Sequence, residues 1–133
     1  MTLNVLELKK QLQTFLKTKA TRVYYERANH VSTYPYVVFN LRNSIEQEGN
    51  REDFILEIDV WGYEDGVTAL ETLVGNIDGD GSLTSPTGLH RKLIYVSDSI
   101  SIKLYRESRL DIADSDERVR RRQLRYIAQV YLS

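Results

Sequence analysis

The chain has 133 residues, of which 41% are hydrophobic and 28% charged. This composition indicates one globular domain and excludes disordered, collagen-like and coiled-coil proteins. Eighteen basic and nineteen acidic residues give a net charge of −1, so any contact with nucleic acid must be local.

Cysteine is absent, which excludes disulfides, thiolate zinc sites and a thiol nucleophile. No apolar run reaches the length of a membrane span, and the first residues lack the pattern of a secretion signal. We therefore expect no membrane partner and synthesis in the cytoplasm.

The first predicted element is an amphipathic helix of about 3.5 turns. Its apolar residues recur at steps of three and four, at Val5, Leu8, Leu12, Phe15 and Leu16. This spacing places them in one stripe, which needs a sheet or another helix to cover it.

Aromatic and β-branched residues then predict strands at 23–25, 36–41 and 54–61. The last two are separated by a turn and should form a hairpin. In the third strand Glu57 and Asp59 alternate with core positions, so we expect them to face solvent or a partner.

A second amphipathic helix is predicted after a cap at Asp65. Its apolar face comprises Val67, Leu70, Leu73, Val74 and Ile77. Residues 78–90 hold three glycines and a proline, which predicts an extended loop and the most mobile part of the molecule.

Residues 76–84 have oxygen-bearing side chains at alternate positions and a glycine in sixth place, as in a calcium-binding loop. The twelfth residue is Thr87, where a bidentate glutamate is needed. A helix-ending turn is the favoured interpretation, so no metal site is assigned.

The C-terminal third is predicted to be a long β-hairpin with its tip at residues 113–116. Apolar residues alternate on both limbs, at Ile100, Ile102 and Leu104 and at Leu124, Tyr126, Ala128, Val130 and Leu132. The expected register pairs Ile102 with Ala128 and Leu104 with Tyr126, which keeps both pairs on one face.

The distal part of this hairpin is densely charged on both faces, which predicts that it is not buried. Six to eight such residues per limb would carry the tip about 20–25 Å beyond the core. Because a bare two-stranded ribbon is only marginally stable in water, we expect it to lie on a neighbouring copy of the chain.

The residues proposed to form this subunit interface, or to line a lumen, are Arg106, Arg109, Asp114, Asp116, Glu117, Arg118, Arg120, Arg121, Arg122 and Arg125. Three interpretations remain open: a solvated ribbon with weak cross-strand ion pairs, pairing between subunits, and direct contact with phosphate. The last is disfavoured because no aromatic stacking platform is interleaved with the arginines. A cluster of tyrosines near residues 24–36 fits an interface or a covered sheet edge equally well.

Signals of catalysis are weak. The two histidines, His30 and His90, are far apart in predicted loops, and no nucleophile, metal-binding or nucleotide-binding motif accompanies them. We therefore predict a protein that is not an enzyme, with no catalytic residues, no cofactor and no metal.

The order of elements resembles the tail completion proteins of long-tailed bacteriophages, also called tail terminator or tail-to-head joining proteins. The resemblance covers nearly the whole chain. It rests on segment 34–39 (Tyr-Pro-Tyr-Val-Val-Phe), on segment 57–62 (Glu-Ile-Asp-Val-Trp-Gly), and on the helix and antiparallel pair that follow.

This resemblance implies a ring of subunits, typically a hexamer, which caps the tail tube and binds the tail tube protein and the head-side connector or stopper protein. It implies a place at the head–tail junction of the virion, assembly in the host cytoplasm, and in some members a free monomer. The hairpin would then be an arm or a lumen-facing element, in passing contact with DNA.

The expected fold is a single α+β domain over residues 1–133. It should contain a mainly antiparallel sheet covered by two amphipathic helices, with a long C-terminal β-hairpin. The alternative function is a small nucleic-acid-binding module that uses the arginine-rich hairpin. Since ring contacts made by charged groups are screened by ions, assembly should weaken with salt.

Overall fold

The computed structural model describes residues 5–27, 33–47, 49–64, 66–97 and 100–132, with residues 43–47 described for their backbone. The fold is mixed α+β, and the described residues form two helices and six strands. The elements are α1 (Val5–Lys17), β1 (Val23–Tyr25), β2 (Tyr36–Gln47), β3 (Arg51–Tyr63), α2 (Val67–Asp78), β4 (Leu93–Ser97), β5 (Ile100–Ala113) and β6 (Val119–Leu132).

The six strands form one sheet in the order β1-β2-β3-β6-β5-β4. The pairing is antiparallel except between β1 and β2, which run parallel. The predicted hairpin of β2 and β3 is confirmed, whereas the edge strand β4 and the parallel pair were not predicted. Because β1 and β4 are the two edges, the remaining strands each have two neighbours.

The sheet curls around α1, which contacts both edge strands. Lys9 Nζ lies 4.7 Å from the ring centre of Tyr25 in β1, and Lys92 Nζ, just before β4, lies 4.9 Å from that of Phe15 in α1. Helix α2 packs against β3 and β6. We call the concave side the helix-covered face and the convex side the helix-free face.

The core lies between the helices and the helix-covered face. Helix α1 contributes Leu8, Leu12 and Leu16 to it, while Val5, at the exposed end of the predicted stripe, stays outside. The sheet contributes side chains from every strand, among them Phe39, Leu56, Ile58, Ile102, Leu104, Leu124 and Tyr126. Alternate residues of the long strands therefore point into one core, as the period-two pattern predicts.

Helix α2 begins at Val67 after the N-cap residue Gly66, and the predicted cap Asp65 lies outside the described residues. A loop does follow α2 as predicted, and its two ends are braced against each other. A Cβ on Gly79, where φ is +81°, would lie 2.1 Å from the backbone nitrogen of Gly88. Leu89 N–H also donates to Ile77 O at 2.7 Å. Glycine is therefore required where the two ends cross.

The C-terminal hairpin is present, but it is not a projecting arm. Strand β6 pairs with β3 from Arg51↔Tyr131 to Tyr63↔Val119, so the β6 limb of the hairpin lies inside the sheet almost to the tip. The β5 limb is covered by β4 from Ile100 to Lys103 and forms the sheet edge beyond. Glu64 N–H donates to the carbonyl oxygen of Arg118 at 2.7 Å, which places the tip level with the end of β3. The expected extension of about 20–25 Å is wrong, because a third strand accompanies the ribbon.

The register of this hairpin differs from the prediction by two residues. Ile102 pairs with Val130, and Leu104 pairs with Ala128. The turn occupies residues 114–118, later than predicted, and the register shifts again between Arg106 and Ser108. Since side chains alternate with a period of two, a shift by two residues keeps the apolar pairs on the predicted face.

Candidate functional site

The ten predicted interface residues gather along the distal halves of β5 and β6 and in the turn between them. Their arginines divide between the two faces of the sheet. Arg106, Arg109 and Arg122 reach carboxylates of α2, on the helix-covered face. Arg121 and Arg125 reach carboxylates of β3, on the helix-free face. The arginine-rich run is therefore part of two separate charge networks.

Glu71 of α2 is the centre of the network on the helix-covered face. Its carboxylate accepts a hydrogen bond from Arg122 Nε at 2.6 Å and another from Arg109. Arg122 Nε also lies 3.0 Å from Asp111 Oδ1. The hydrogen bond from Arg122, aided by the charge of Arg109, lowers the pKa of Glu71 below its usual value. The N-terminal half of α2 is thus tied to both limbs of the hairpin.

Asp78, the last residue of α2, makes a second tie nearer the core. Tyr126 Oη donates to Asp78 Oδ1 at 2.6 Å, and Arg106 Nη1 donates to Oδ2. Burial and this bond to Asp78 raise the pKa of Tyr126 above its usual range. The backbone N–H of Arg106 also donates to His90 Nδ1 at 3.0 Å. Sequence patterns did not indicate this cluster.

These contacts also decide the interpretation of the loop after α2. The carboxylate of Asp78 points into the protein, and Asp80 Oδ1 accepts the backbone N–H groups of Ser82 and Thr87 at 3.0 and 3.1 Å. In the described part of the chain, no three acidic or histidine side chains converge as a metal site would require. The segment has the geometry of a braced helix-ending turn.

On the helix-free face, Glu57 and Asp59 form a second network. Arg121 Nε donates to Asp59 Oδ1 at 3.1 Å, and Gln123 Nε2 donates to both carboxylates at 3.1 Å. Arg125 Nη2 lies 3.6 Å from Glu57 Oε1. Glu57 and Asp59 are only 8% and 7% exposed, so of the two expected surroundings, solvent or a partner, the first is wrong. Long side chains from the adjacent strands cover them.

The tip of the hairpin carries the three acids of the predicted interface, Asp114, Asp116 and Glu117. Asp116 accepts three hydrogen bonds from Arg118, two from the guanidinium at 3.1 Å and one from the backbone N–H at 3.0 Å. The N–H of Asp116 donates to Asp114 Oδ1 at 3.0 Å. The bonds from Arg118 lower the pKa of Asp116. Glu117 is exposed, and Arg120 Nε donates to the carbonyl oxygen of Glu64 at 3.2 Å. The tip is a compact acidic turn with one arginine folded onto it.

An aromatic row lies beside the network of the helix-free face. Tyr36 stacks on Trp61 with ring centres 6.0 Å apart, and Tyr34 stacks on Tyr63 at 5.2 Å. The guanidinium carbon of Arg121 lies 4.9 Å from the ring centre of Trp61. The expectation that no aromatic platform accompanies the arginines is therefore corrected, because the fold brings the rings of β2 and β3, and Tyr34 just before β2, beside β6.

A comparison with solved structures finds a chain with this fold in a structure titled "Virion of native gene transfer agent (GTA) particle". The match has a TM-score of 0.63 and covers 93% of this chain and 91% of that chain, at 14% sequence identity. No protein-family profile and no curated protein sequence matches the chain. Neither described helix is long and apolar enough to cross a membrane.

Proposed function

We propose that this chain is a structural virion protein that ends a phage-type tail tube and joins it to the head-side connector by forming a ring. The observation that carries the proposal is the likeness of fold, over 93% of this chain, to a chain of a gene transfer agent virion. The likeness extends over 91% of that chain, so a whole virion component is matched rather than a shared fragment. The resemblance of the sequence to tail completion proteins supports the same role.

The geometry of the hairpin supports a ring built from rigid subunits. Six arginines of the predicted interface are ion-paired with carboxylates of the same chain, namely Arg106, Arg109, Arg118, Arg121, Arg122 and Arg125. These pairs hold the hairpin in the sheet, and the acidic turn at its end stays exposed to solvent. A closed ring needs two different surfaces on each subunit, one for each neighbour. We assign the tip to one of these two surfaces. Arg121, Arg122 and Arg125, which we call the stem arginines, would support the tip or line the lumen of the ring.

A nucleic-acid-binding module is the second candidate, and one observation favours it. Arg121 lies over Trp61 and Arg118 over Tyr63, which is the kind of surface on which bases stack. The neighbouring carboxylates of Asp59 and Asp116 neutralise these two arginines, however. Because binding to nucleic acid depends on unpaired cations that replace counterions, this surface is a weaker candidate than the ring.

Electron microscopy of the purified protein, alone and mixed with tail tubes of the virus that encodes it, tests the proposal. We expect a ring, six-fold in projection, at one end of each tube, and bare ends when the protein is omitted. Folded protein that never occupies tube ends would contradict the proposal. A gel-shift assay at low salt tests the rival: DNA retention that disappears in Arg118→Ala/Arg120→Ala, with tube capping intact, would favour the module.

A further inference from the structure

The two ends of β5 carry opposite charges. At the distal end, the turn of residues 114–118 holds three acids and one arginine, a net charge of −2. We call this turn the acidic tip. At the other end, β5 lies beside the edge strand β4, in a surface that we call the basal patch. It consists of Arg91, Lys92, Leu93, Tyr95, Lys103 and Tyr105.

The basal patch is apolar and cationic at once. Leu93, Tyr95 and Tyr105 are 40%, 73% and 40% exposed, on the helix-free face of two adjacent strands. Beside them lies a concavity of about 340 Å³. Three of its described lining residues are cations, namely Arg91, Lys92 and Lys103, and none of the described lining residues is acidic. Clustered exposed apolar side chains on a soluble domain mark a binding surface, and these cations select an acidic partner.

The distal hairpin of this same chain has the complementary chemistry. Leu110 is 47% exposed and precedes the acidic tip on β5. Glu117 is exposed in the turn. At the distal end of β5, an apolar residue and then the acidic tip face solvent. At the other end of β5, an apolar surface with cations faces solvent.

The acidic tip cannot reach the basal patch of its own chain. Lys103 and Ala113 belong to one strand and are ten residues apart, which is about 30 Å of extended chain. Contact between the two surfaces therefore requires two molecules. Since the surfaces differ, each copy would use its tip on one neighbour and its patch on the other, as a ring demands.

We propose that the acidic tip of one copy docks on the basal patch of the next copy. This inference rests on the proposed function and names the two surfaces that meet in the ring. It also gives Asp114 and Glu117 a specific counterpart among the cations of the neighbour, whereas Asp116 is paired with Arg118 of its own chain. The stem arginines take no part in this contact, because carboxylates of their own chain occupy them.

Reciprocal charge reversal tests the docking. The tip-reversed variant is Ser115→Lys/Glu117→Lys, and the patch-reversed variant is Arg91→Glu/Lys103→Glu, which spares Lys92 because that side chain lies over Phe15 of α1. The two tip positions are exposed turn residues, and circular dichroism would confirm that both variants fold. We expect each variant alone to reduce the fraction of capped tube ends at least about tenfold, because like charges then face each other.

Two combinations should restore assembly. An equal mixture of the two variants should form rings in which they alternate, which closes only when the subunit number is even, as in a hexamer. A single chain that carries both reversals should also form rings. The control Lys10→Glu/Lys17→Glu makes the same charge change as the patch-reversed variant, but at exposed positions of α1. It should cap tubes as the wild type does.

The outcomes separate the two proposals. If the wild type forms no ring on tubes, the proposed function is wrong, and the docking fails with it. If the wild type forms rings and either reversed variant does so equally well, the docking is wrong and the function stands. Folded variants that fail alone and are rescued neither by mixing nor by combination would also overturn the docking.

Discussion

In the middle of strands β3 and β6, both faces of the sheet are closed to water, by different means. On the helix-covered face, apolar side chains meet α1 and α2, and the hydroxyl of Tyr126 is satisfied by Asp78. On the helix-free face no helix is present among the described residues. Glu57, Asp59 and Gln123 are nevertheless only 6–8% exposed there, beneath the side chains of Arg121 and Arg125.

The difference shows that burial on this sheet does not imply an apolar core. The helix-covered face gains stability from apolar area removed from water, which salt hardly affects. The helix-free face depends on hydrogen-bonded ion pairs, whose net contribution is smaller because desolvation opposes it. Substitutions at neighbouring positions of one strand should therefore differ sharply in cost, and the following predictions test this.

The largest effect is expected from Leu56→Ala, because Leu56 is fully buried on the helix-covered face of β3. Loss of the apolar contacts and the resulting cavity should lower the free energy of unfolding by about 2–5 kcal/mol. Urea unfolding followed by circular dichroism measures this change. The matched control is Ile55→Ala, one residue away on the helix-free face, which should cost about 1 kcal/mol or less. Equal costs would refute the distinction between the faces.

A smaller effect is expected from Tyr126→Phe, which removes one oxygen and little volume. Asp78 Oδ1 would lose its buried donor, so the free energy of unfolding should fall by about 1–3 kcal/mol. Tyr105→Phe makes the same change at a side chain that is 40% exposed on the helix-free face, and it should alter stability by less than about 0.5 kcal/mol. An unchanged midpoint for Tyr126→Phe would show that the Asp78 bond contributes nothing.

Periodicity predicted most of the secondary structure. The steps of four from Leu8 to Leu12 and Leu16 correspond to the buried stripe of α1. The alternation in β3 and β6 correctly separates the two faces of the sheet. This succeeds because a half-buried helix or strand must place its apolar residues at the period of its own geometry. Strand β4 escaped prediction because it is short and lies at an edge, where apolar Leu93 and Tyr95 point outward.

The environment of the arginine-rich run could not be predicted, because its partners are remote in the chain. Arg121 pairs with Asp59, 62 residues away, and Arg122 with Glu71, 51 residues away. No local pattern encodes such distances. A run of arginines on both faces of a strand indicated exposure, whereas carboxylates from β3 and α2 allow it to lie within the sheet.

The smallest effect concerns the pH dependence of the Glu71 network. The pKa of Glu71 is lowered in the folded protein, chiefly by the hydrogen bond from Arg122. The ion pairs therefore stabilise the fold at neutral pH, and this contribution is lost as the pH falls through the lowered pKa. Because the Glu71 side chain is 38% exposed, solvent screens the pairs and we expect only a few tenths of a kcal/mol.

The variant Glu71→Gln isolates this contribution, since glutamine carries no charge at any pH. Thermal unfolding between pH 7 and pH 3 should show a slightly lower midpoint than the wild type at pH 7 and a smaller decrease as the pH falls. The two curves should converge once Glu71 is protonated in both folded and unfolded wild-type chains. Parallel curves over the whole range would mean that Glu71 titrates alike in the folded and unfolded chains, and that its pairs with Arg109 and Arg122 do not contribute to stability.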